Sequence, residues 1–148
     1  AVVLNNPIAW IFYTLLQGTM FWALFVVGHD AGHGSFSNSK LLNSLMGHLT
    51  HASILVPFHG WRISHRDHHA NHGHVDNDES WYAYSQEDYE SMSVSRRLMR
   101  FELPFALFGY PVYLFKRTPG KTGSHWMPSS PLFKKNEAGQ VLTSTSAC

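Results

Sequence analysis

Cysteine is almost absent from this chain of 148 residues, and the single copy is Cys148. One thiol excludes an internal disulfide framework and any cluster of thiolate metal ligands, and it is compatible with a reducing compartment. Charge is also scarce and balanced, with 11 Lys and Arg against 10 Asp and Glu, a formal net charge of +1. Nucleic-acid-binding domains usually carry a strong excess of basic residues. We therefore expect no nucleic-acid partner.

No charged residue interrupts residues 7–28, which read PIAWIFYTLLQGTMFWALFVVG. At about 1.5 Å per residue, a helix of this length crosses the roughly 30 Å hydrocarbon core of a bilayer. The alternative is the core helix of a soluble bundle, but such a helix usually keeps a polar edge. The sequence therefore predicts a transmembrane helix over about 7–28.

The remaining segments predict helices that do not cross the bilayer. Residues 41–58 are apolar but too short and polar for a span, so we expect an interfacial helix that Pro57 ends. Residues 82–100 suggest a solvated, partly helical region, and the apolar residues 102–115 contain two prolines and suggest a re-entrant or interfacial piece. Residues 118–146 are rich in Gly, Pro, Ser and Thr and predict a loop. The predicted fold class is an all-α, integral membrane helical protein with interfacial helices.

Histidine is the residue in excess, and ten of the 11 copies lie between His29 and His74. Two short patterns stand out, HDAGH at 29–33 and HRDHH at 65–69. Spacings of three and four residues place side chains on one face of a helix, so each pattern is expected to aim its imidazoles at one point. These two patterns are called the first and second histidine boxes below.

The boxes predict a metal centre. Imidazole suits iron, zinc or copper, and five imidazoles exceed what one tetrahedral zinc normally takes from protein, which favours a two-metal site. The candidate metal ligands are His29, His33, His65, His68 and His69. Asp30 and Asp67 lie inside the boxes and are candidates for orienting the imidazoles. HDAGH also resembles the HExxH of zinc proteases, but it has Asp in place of the general-base Glu, and a second box lies nearby.

The other histidines are expected to have structural or supporting roles. They are His48, His51, His59, His72, His74 and His125. For His125, we expect replacement to be tolerated.

The stretch from His29 to Trp81, with HGWRISHRDHH followed by NHGHVDNDESW, resembles the plant and algal membrane fatty acid desaturases. Within that family it is most similar to the omega-3 branch, and the resemblance continues through residues 105–133 to VLTSTSAC at the end. The resemblance implies an all-helical membrane fold with three histidine boxes and two non-haem iron ions. It assigns His29 and His33 to the first box and His65, His68 and His69 to the second. The family's third box, another HxxHH, has no counterpart in this chain.

The resemblance also implies a function. The enzyme would be an oxidoreductase that uses O₂ to convert a lipid-linked linoleoyl chain to linolenoyl. Its electron donor would be ferredoxin in a chloroplast membrane, or a b-type cytochrome in the endoplasmic reticulum. Omega-6 desaturation, a related di-iron hydroxylase, and a histidine-rich metal-binding membrane protein remain as alternatives. We expect residues 1–148 to form the N-terminal and central part of one desaturase domain and to be inactive alone.

Overall fold

A computed structural model describes residues 6–98, 109–118 and 120–148 of the chain. Within these ranges the structure is helical and contains no strand, which confirms the predicted all-α class. The helices are α1 Pro7–His33, α2 Lys40–Ala52, α3 Phe58–Ala70, α4 Gln86–Ser91, α5 Val94–Leu98, α6 Tyr110–Lys116 and α7 Ala138–Ala147, with a 3₁₀ turn at Lys135–Glu137.

Helix α1 is long and mostly exposed. The Asn6 side chain accepts hydrogen bonds from the backbone N–H groups of Ile8 and Ala9, and Pro7 occupies the first turn, so the start is well capped. Only 6% of its most apolar stretch of 18 residues is buried, whereas the core helix of a soluble bundle would be mostly buried. Among the residues that the structure describes, α1 is a single helix whose length and apolar composition are sufficient to cross a membrane.

Helix α1 runs further than the predicted 7–28. It continues to His33 and stops at Gly34, whose φ of 76° is readily available to glycine. The first histidine box is therefore the last turn of the same helix, and its spacing of four residues keeps both imidazoles on one face.

The predicted interfacial segment 41–58 forms two helices rather than one. Helix α2 ends at Ala52, a turn follows in which Leu55 has a φ of 57°, and α3 begins at Phe58. Pro57 therefore precedes α3 and does not end α2. Its fixed φ and missing N–H are harmless at the start of a helix, where the first N–H groups have no helical partner.

Close helix contacts involve glycines. A Cβ on Gly28 of α1 would overlap the ring of His51 on α2, and a Cβ on Gly47 would overlap the ring of Phe58 on α3. His51 Nε2 also lies 3.1 Å from the carbonyl oxygen of Phe25 in α1. These contacts fix α1, α2 and α3 against one another and so set the relative position of the two histidine boxes.

The predicted loop 118–146 is wrong in its last part, because Ala138–Ala147 is the helix α7. Val141 and Ser144 are fully buried there, and Ser144 Oγ accepts from the backbone N–H of His59 at 3.0 Å. Packing on α3 thus outweighs the weak helix propensity of Ser and Thr. Of the predicted re-entrant segment 102–115, residues 102–108 lie outside the described residues, and α6 covers most of the rest.

Candidate metal centre

The first histidine box brings two imidazoles together at the end of α1. His29 and His33 are four residues apart, and their Nε2 atoms lie 3.1 Å from each other. His29 is half-buried and His33 is exposed. The pair therefore lies at the open end of the helix, where its nitrogens can meet ligands from another element.

The second box supplies those ligands from α3. His65 and His69 have Nε2 atoms 3.1 Å apart, and His65 Nε2 lies 3.1 Å from His33 Nε2. Nitrogen atoms of all four residues lie within 4.8 Å of one another. We call His29, His33, His65 and His69 the four-histidine group.

The spacing of the four-histidine group fits a bound metal. Metal–imidazole bonds of about 2.1 Å separate neighbouring nitrogens by about 3.0 Å at right angles and by about 3.4 Å at tetrahedral angles. The three observed Nε2–Nε2 distances of 3.1 Å fall in this range. Four imidazoles form a donor set that iron, zinc and copper all accept.

The protonation of the group also fits a metal. His29 Nδ1 lies 3.0 Å from Asp30 Oδ1 and donates to it, which leaves the lone pair of His29 Nε2 free. Burial, and after it the neighbouring His69, lower the pKa of His65 to about 3, so this ring is neutral near pH 7. Asp30 thus contacts a box imidazole, and its orienting role stays a prediction.

Asp67 does not contact an imidazole. Its carboxylate accepts from Nε and a terminal nitrogen of Arg66, both at 3.0 Å. Arg66 also donates to Glu137 at 3.0 Å, which connects α3 to the turn before α7. Asp67 therefore belongs to a surface charge pair, and the orienting role predicted for it has no support in these contacts.

His68 stands apart from the rest of its box. Adjacent helix positions differ by about 100°, so His68 and His69 cannot aim at one point. The His68 Nδ1 atom lies 2.6 Å from Asp78 Oδ1, and His72 Nδ1 lies 4.0 Å from the other carboxylate oxygen. The structure therefore places four of the five predicted ligands together and leaves His68 apart. It also shows that Asp78, which the sequence analysis missed, is the hydrogen-bond partner of His68.

Two other histidines are buried supports. His125 is fully buried; its Nδ1 donates to Leu114 O at 3.1 Å, and its Nε2 lies 3.0 Å from Ser64 Oγ. Burial lowers the pKa of His125 and of His51 to about 4. The expected tolerance of replacement at His125 does not fit this position, since its loss would leave a cavity between α3 and α6.

The other supporting histidines are less deeply placed. His48 Nδ1 bonds to Ser44 O at 2.7 Å within α2, and its ring packs against His59 at 4.7 Å between centroids. His74 Nδ1 accepts from the backbone N–H groups of Asp76 and Asn77. His72 is exposed. His48, His59 and His74 thus contact neighbouring groups, and the supporting roles of all four residues stay a prediction.

An apolar cavity of about 1180 Å³ lies beside the four-histidine group. Its walls include Phe25, Ile54, Val56, Trp61, Tyr110 and Tyr113. Trp61 is 4% exposed, and its ring stacks on His65 with centroids 4.5 Å apart. One indole ring therefore separates the apolar cavity from the imidazoles.

Comparison with known proteins identifies the family of this chain. The family model for fatty acid desaturases matches residues 6–141. A chloroplastic omega-3 fatty acid desaturase of Glycine max is 60% identical over 148 residues, all of this chain and 32% of that protein. The sn-2 acyl-lipid omega-3 desaturase (ferredoxin) of Arabidopsis thaliana, also chloroplastic, is 61% identical over the whole chain and 33% of its own length.

A cyanobacterial relative has a similar level of identity. The sn-1 acyl-lipid omega-3 desaturase (ferredoxin) of Synechocystis is 60% identical over 142 residues, 94% of this chain and 39% of that protein. The chain thus spans about a third of the length of the curated relatives it matches. No solved structure matches the chain. The family match covers nearly all of the sequence, and the chain belongs to the fatty acid desaturase family.

Proposed function

We propose that the complete protein is a membrane-bound omega-3 fatty acid desaturase that converts linoleoyl to linolenoyl chains on membrane lipids. The observation that carries this proposal is the convergence of four imidazole nitrogens near an apolar cavity, with Trp61 lining the cavity and stacking on His65. The names of the relatives support the omega-3 position and a lipid-linked acyl substrate. Residues 1–148 would form the N-terminal and central part of one desaturase domain.

Helix α1 supports the proposed membrane location. Its apolar side chains are exposed over most of its length, which in water would be unfavourable. A bilayer removes that cost, and we propose that α1 crosses it with the histidine boxes near one surface. The chloroplastic relatives support a chloroplast membrane, and the endoplasmic reticulum is the alternative location.

We propose two non-haem iron ions as the cofactor. The four-histidine group would hold one, and His68 would offer its Nε2 to the other, together with ligands from outside this chain. Bound iron with O₂ supplies the oxidising power that breaking an unactivated C–H bond requires and that no side chain has. The five ligands would be His29, His33, His65, His68 and His69.

The protein's own residues would position the substrate and keep water out. The cavity volume of about 1180 Å³ slightly exceeds the roughly 300–1,000 Å³ of usual ligand pockets, and its aromatic and aliphatic walls suit an acyl chain. Trp61 contacts both the cavity and His65, so it would set how close a methylene approaches the metal. Asp30 would hold the His29 ring with Nε2 directed inward.

The electron donor would be ferredoxin, because the names of two relatives identify them as ferredoxin-dependent desaturases. A b-type cytochrome would take that place in the endoplasmic reticulum.

A zinc protease is not supported as an alternative function, because the second box supplies two of the four converging imidazoles.

The test is fatty acid profiling of a host that expresses the full-length gene and is fed oleate or linoleate separately. We expect linoleate to gain one double bond and oleate to remain unchanged. Conversion of oleate alone would indicate an omega-6 desaturase, and a hydroxylated product would indicate a related hydroxylase. An unchanged profile in a host with a ferredoxin supply, despite membrane-inserted protein with bound iron, would favour a metal-binding protein without this activity.

A further inference from the structure

Asp78 is a buried carboxylate that accepts four hydrogen bonds. It is 1% exposed, although it lies in a polar loop that follows α3. Its Oδ1 accepts from His68 Nδ1 at 2.6 Å and from the backbone N–H groups of Ser80 and Trp81 at 2.9 and 3.1 Å. Its Oδ2 accepts from the backbone N–H of Gly73 at 2.9 Å.

Three of the four donors share Oδ1, whereas Oδ2 accepts one hydrogen bond and keeps a lone pair near His72. The contact of Oδ1 with His68 fixes which nitrogen of that ring is protonated. Because Nδ1 of His68 donates to Asp78, the neutral ring carries its free lone pair on Nε2.

The loop that carries Asp78 is anchored by Arg117 and Lys121. Glu79 is 4% exposed and accepts two hydrogen bonds from the Arg117 guanidinium, at 2.7 and 2.6 Å. Lys121 adds a contact to Glu79 at 3.4 Å and one to the carbonyl oxygen of Asp78 at 2.5 Å. Such a paired, bidentate arrangement resists rotation of the loop, so the Asp78 carboxylate is held in place by its neighbours.

We propose that Asp78 is a positioning residue for His68, and that it acts by fixing the ring so that Nε2 faces the second metal. The anchored Glu79–Arg117 pair keeps the loop in the position this requires. The inference rests on the proposed two-metal centre and adds a residue that the histidine boxes do not contain. Hydrogen-bonded carboxylates of this kind typically change metal affinity or activity by about 10–100-fold when removed.

The test is metal titration of the full-length protein in detergent. Iron is removed with a chelator, Co²⁺ is added, and binding is followed by the visible absorption of the cobalt. We expect two equivalents to bind to the unchanged protein. In Asp78→Asn, we expect one equivalent to bind about 10–100-fold more weakly and the other to bind as before. The matched control is Asp76→Asn, which changes an exposed carboxylate two residues away. This variant should bind both equivalents of Co²⁺ normally.

A double-mutant cycle separates positioning from a general effect on the loop. If Asp78 acts through His68, Asp78→Asn should change Co²⁺ affinity no further once His68→Ala is present. An equal further loss in that background, or unchanged binding in the single variant, would overturn the inference while two-metal binding and desaturation remain intact. Fewer than two equivalents in the unchanged protein would instead overturn the proposed metal centre and the inference with it.

Discussion

Histidines near the C-terminal ends of α1 and α3 have different surroundings from histidines that are packed between α1, α2, α3 and α6. In the first region, Nε2 atoms point at one another at distances of 3.1 Å, and two of the four rings are exposed. In the second region, His51 and His125 are fully buried and bond to backbone carbonyls. The same side chain thus meets other imidazoles in one region and helix backbone in the other.

The difference teaches how to separate candidate ligands from structural histidines. Neutral imidazoles that converge on one point place nitrogen lone pairs against each other, which is unfavourable unless a proton or a cation lies between them. A buried ring that donates to a backbone carbonyl is positioned by the helix backbone and does not depend on a metal for its place. Replacement should therefore affect metal content in the first region and folding stability in the second.

The largest expected effect is at His65. In the full-length enzyme, His65→Ala should lower activity by at least about 100-fold, because it removes an imidazole at the middle of the four-histidine group. Iron content per protein should fall as well, while membrane insertion stays largely intact. Product analysis, iron determination and carbonate extraction measure the three quantities. Substantial remaining activity would show that the ligand assignment is wrong.

An intermediate effect is expected at His125. His125→Ala removes a fully buried ring with two hydrogen bonds, and large-to-small changes at such sites cost about 2–4 kcal/mol of unfolding free energy. Thermal or denaturant unfolding in detergent measures this loss. Iron per folded protein should stay near the level of the unchanged enzyme. Normal stability combined with lost iron would erase the distinction between the two regions.

The smallest expected effect is a pH dependence of the metal-free protein. Unfolded histidine takes up a proton near pH 6.5, whereas burial holds the pKa of His51 and His125 at about 4 in the folded state. Between these values the unfolded chain binds more protons, so the folded state loses stability as the pH falls. From pH 7 to pH 5.5 the loss should be about 1 kcal/mol for each residue.

Melting curves at pH 8, 7, 6 and 5.5 test this prediction in the full-length, metal-free protein. The melting temperature should change little between pH 8 and 7 and fall below that. The slope should be smaller in His125→Gln, which has one fewer titrating group. A melting temperature that is constant down to pH 5.5 would contradict the assignment of these two rings as buried and neutral.

The sequence predicted the helical class, the long apolar helix and four histidines that converge, but it also placed His68 with them, and His68 lies apart. The reason is that these features are local. An uncharged apolar run of 22 residues at 7–28 is typical of a membrane-spanning helix. A spacing of four residues places two side chains on the same face of a helix. His29 with His33 and His65 with His69 follow that rule. The contact between the pairs was an inference from chemistry, and the structure brings them together.

The features that were missed depend on contacts between distant residues. Asp78 is ten residues from His68, in a loop without periodicity, so no pattern marks it as the partner of that ring. Helix α7 is rich in Ser and Thr, and only its packing on α3 explains why it is helical. The apolar cavity combines α1, α3 and α6 with the turn before α3, which are far apart in the sequence.

The unbroken continuation of α1 into the first box has a mechanical consequence. A helix of 27 residues is about 40 Å long, so about 10 Å extend past the roughly 30 Å hydrocarbon core if the helix begins at its far boundary. A rigid helix tilts when the bilayer becomes thinner. Because the close contacts at Gly28 and Gly47 fix α1, α2 and α3 against one another, such a tilt would carry both pairs of histidines as one body and would preserve the 3.1 Å distance between His33 and His65.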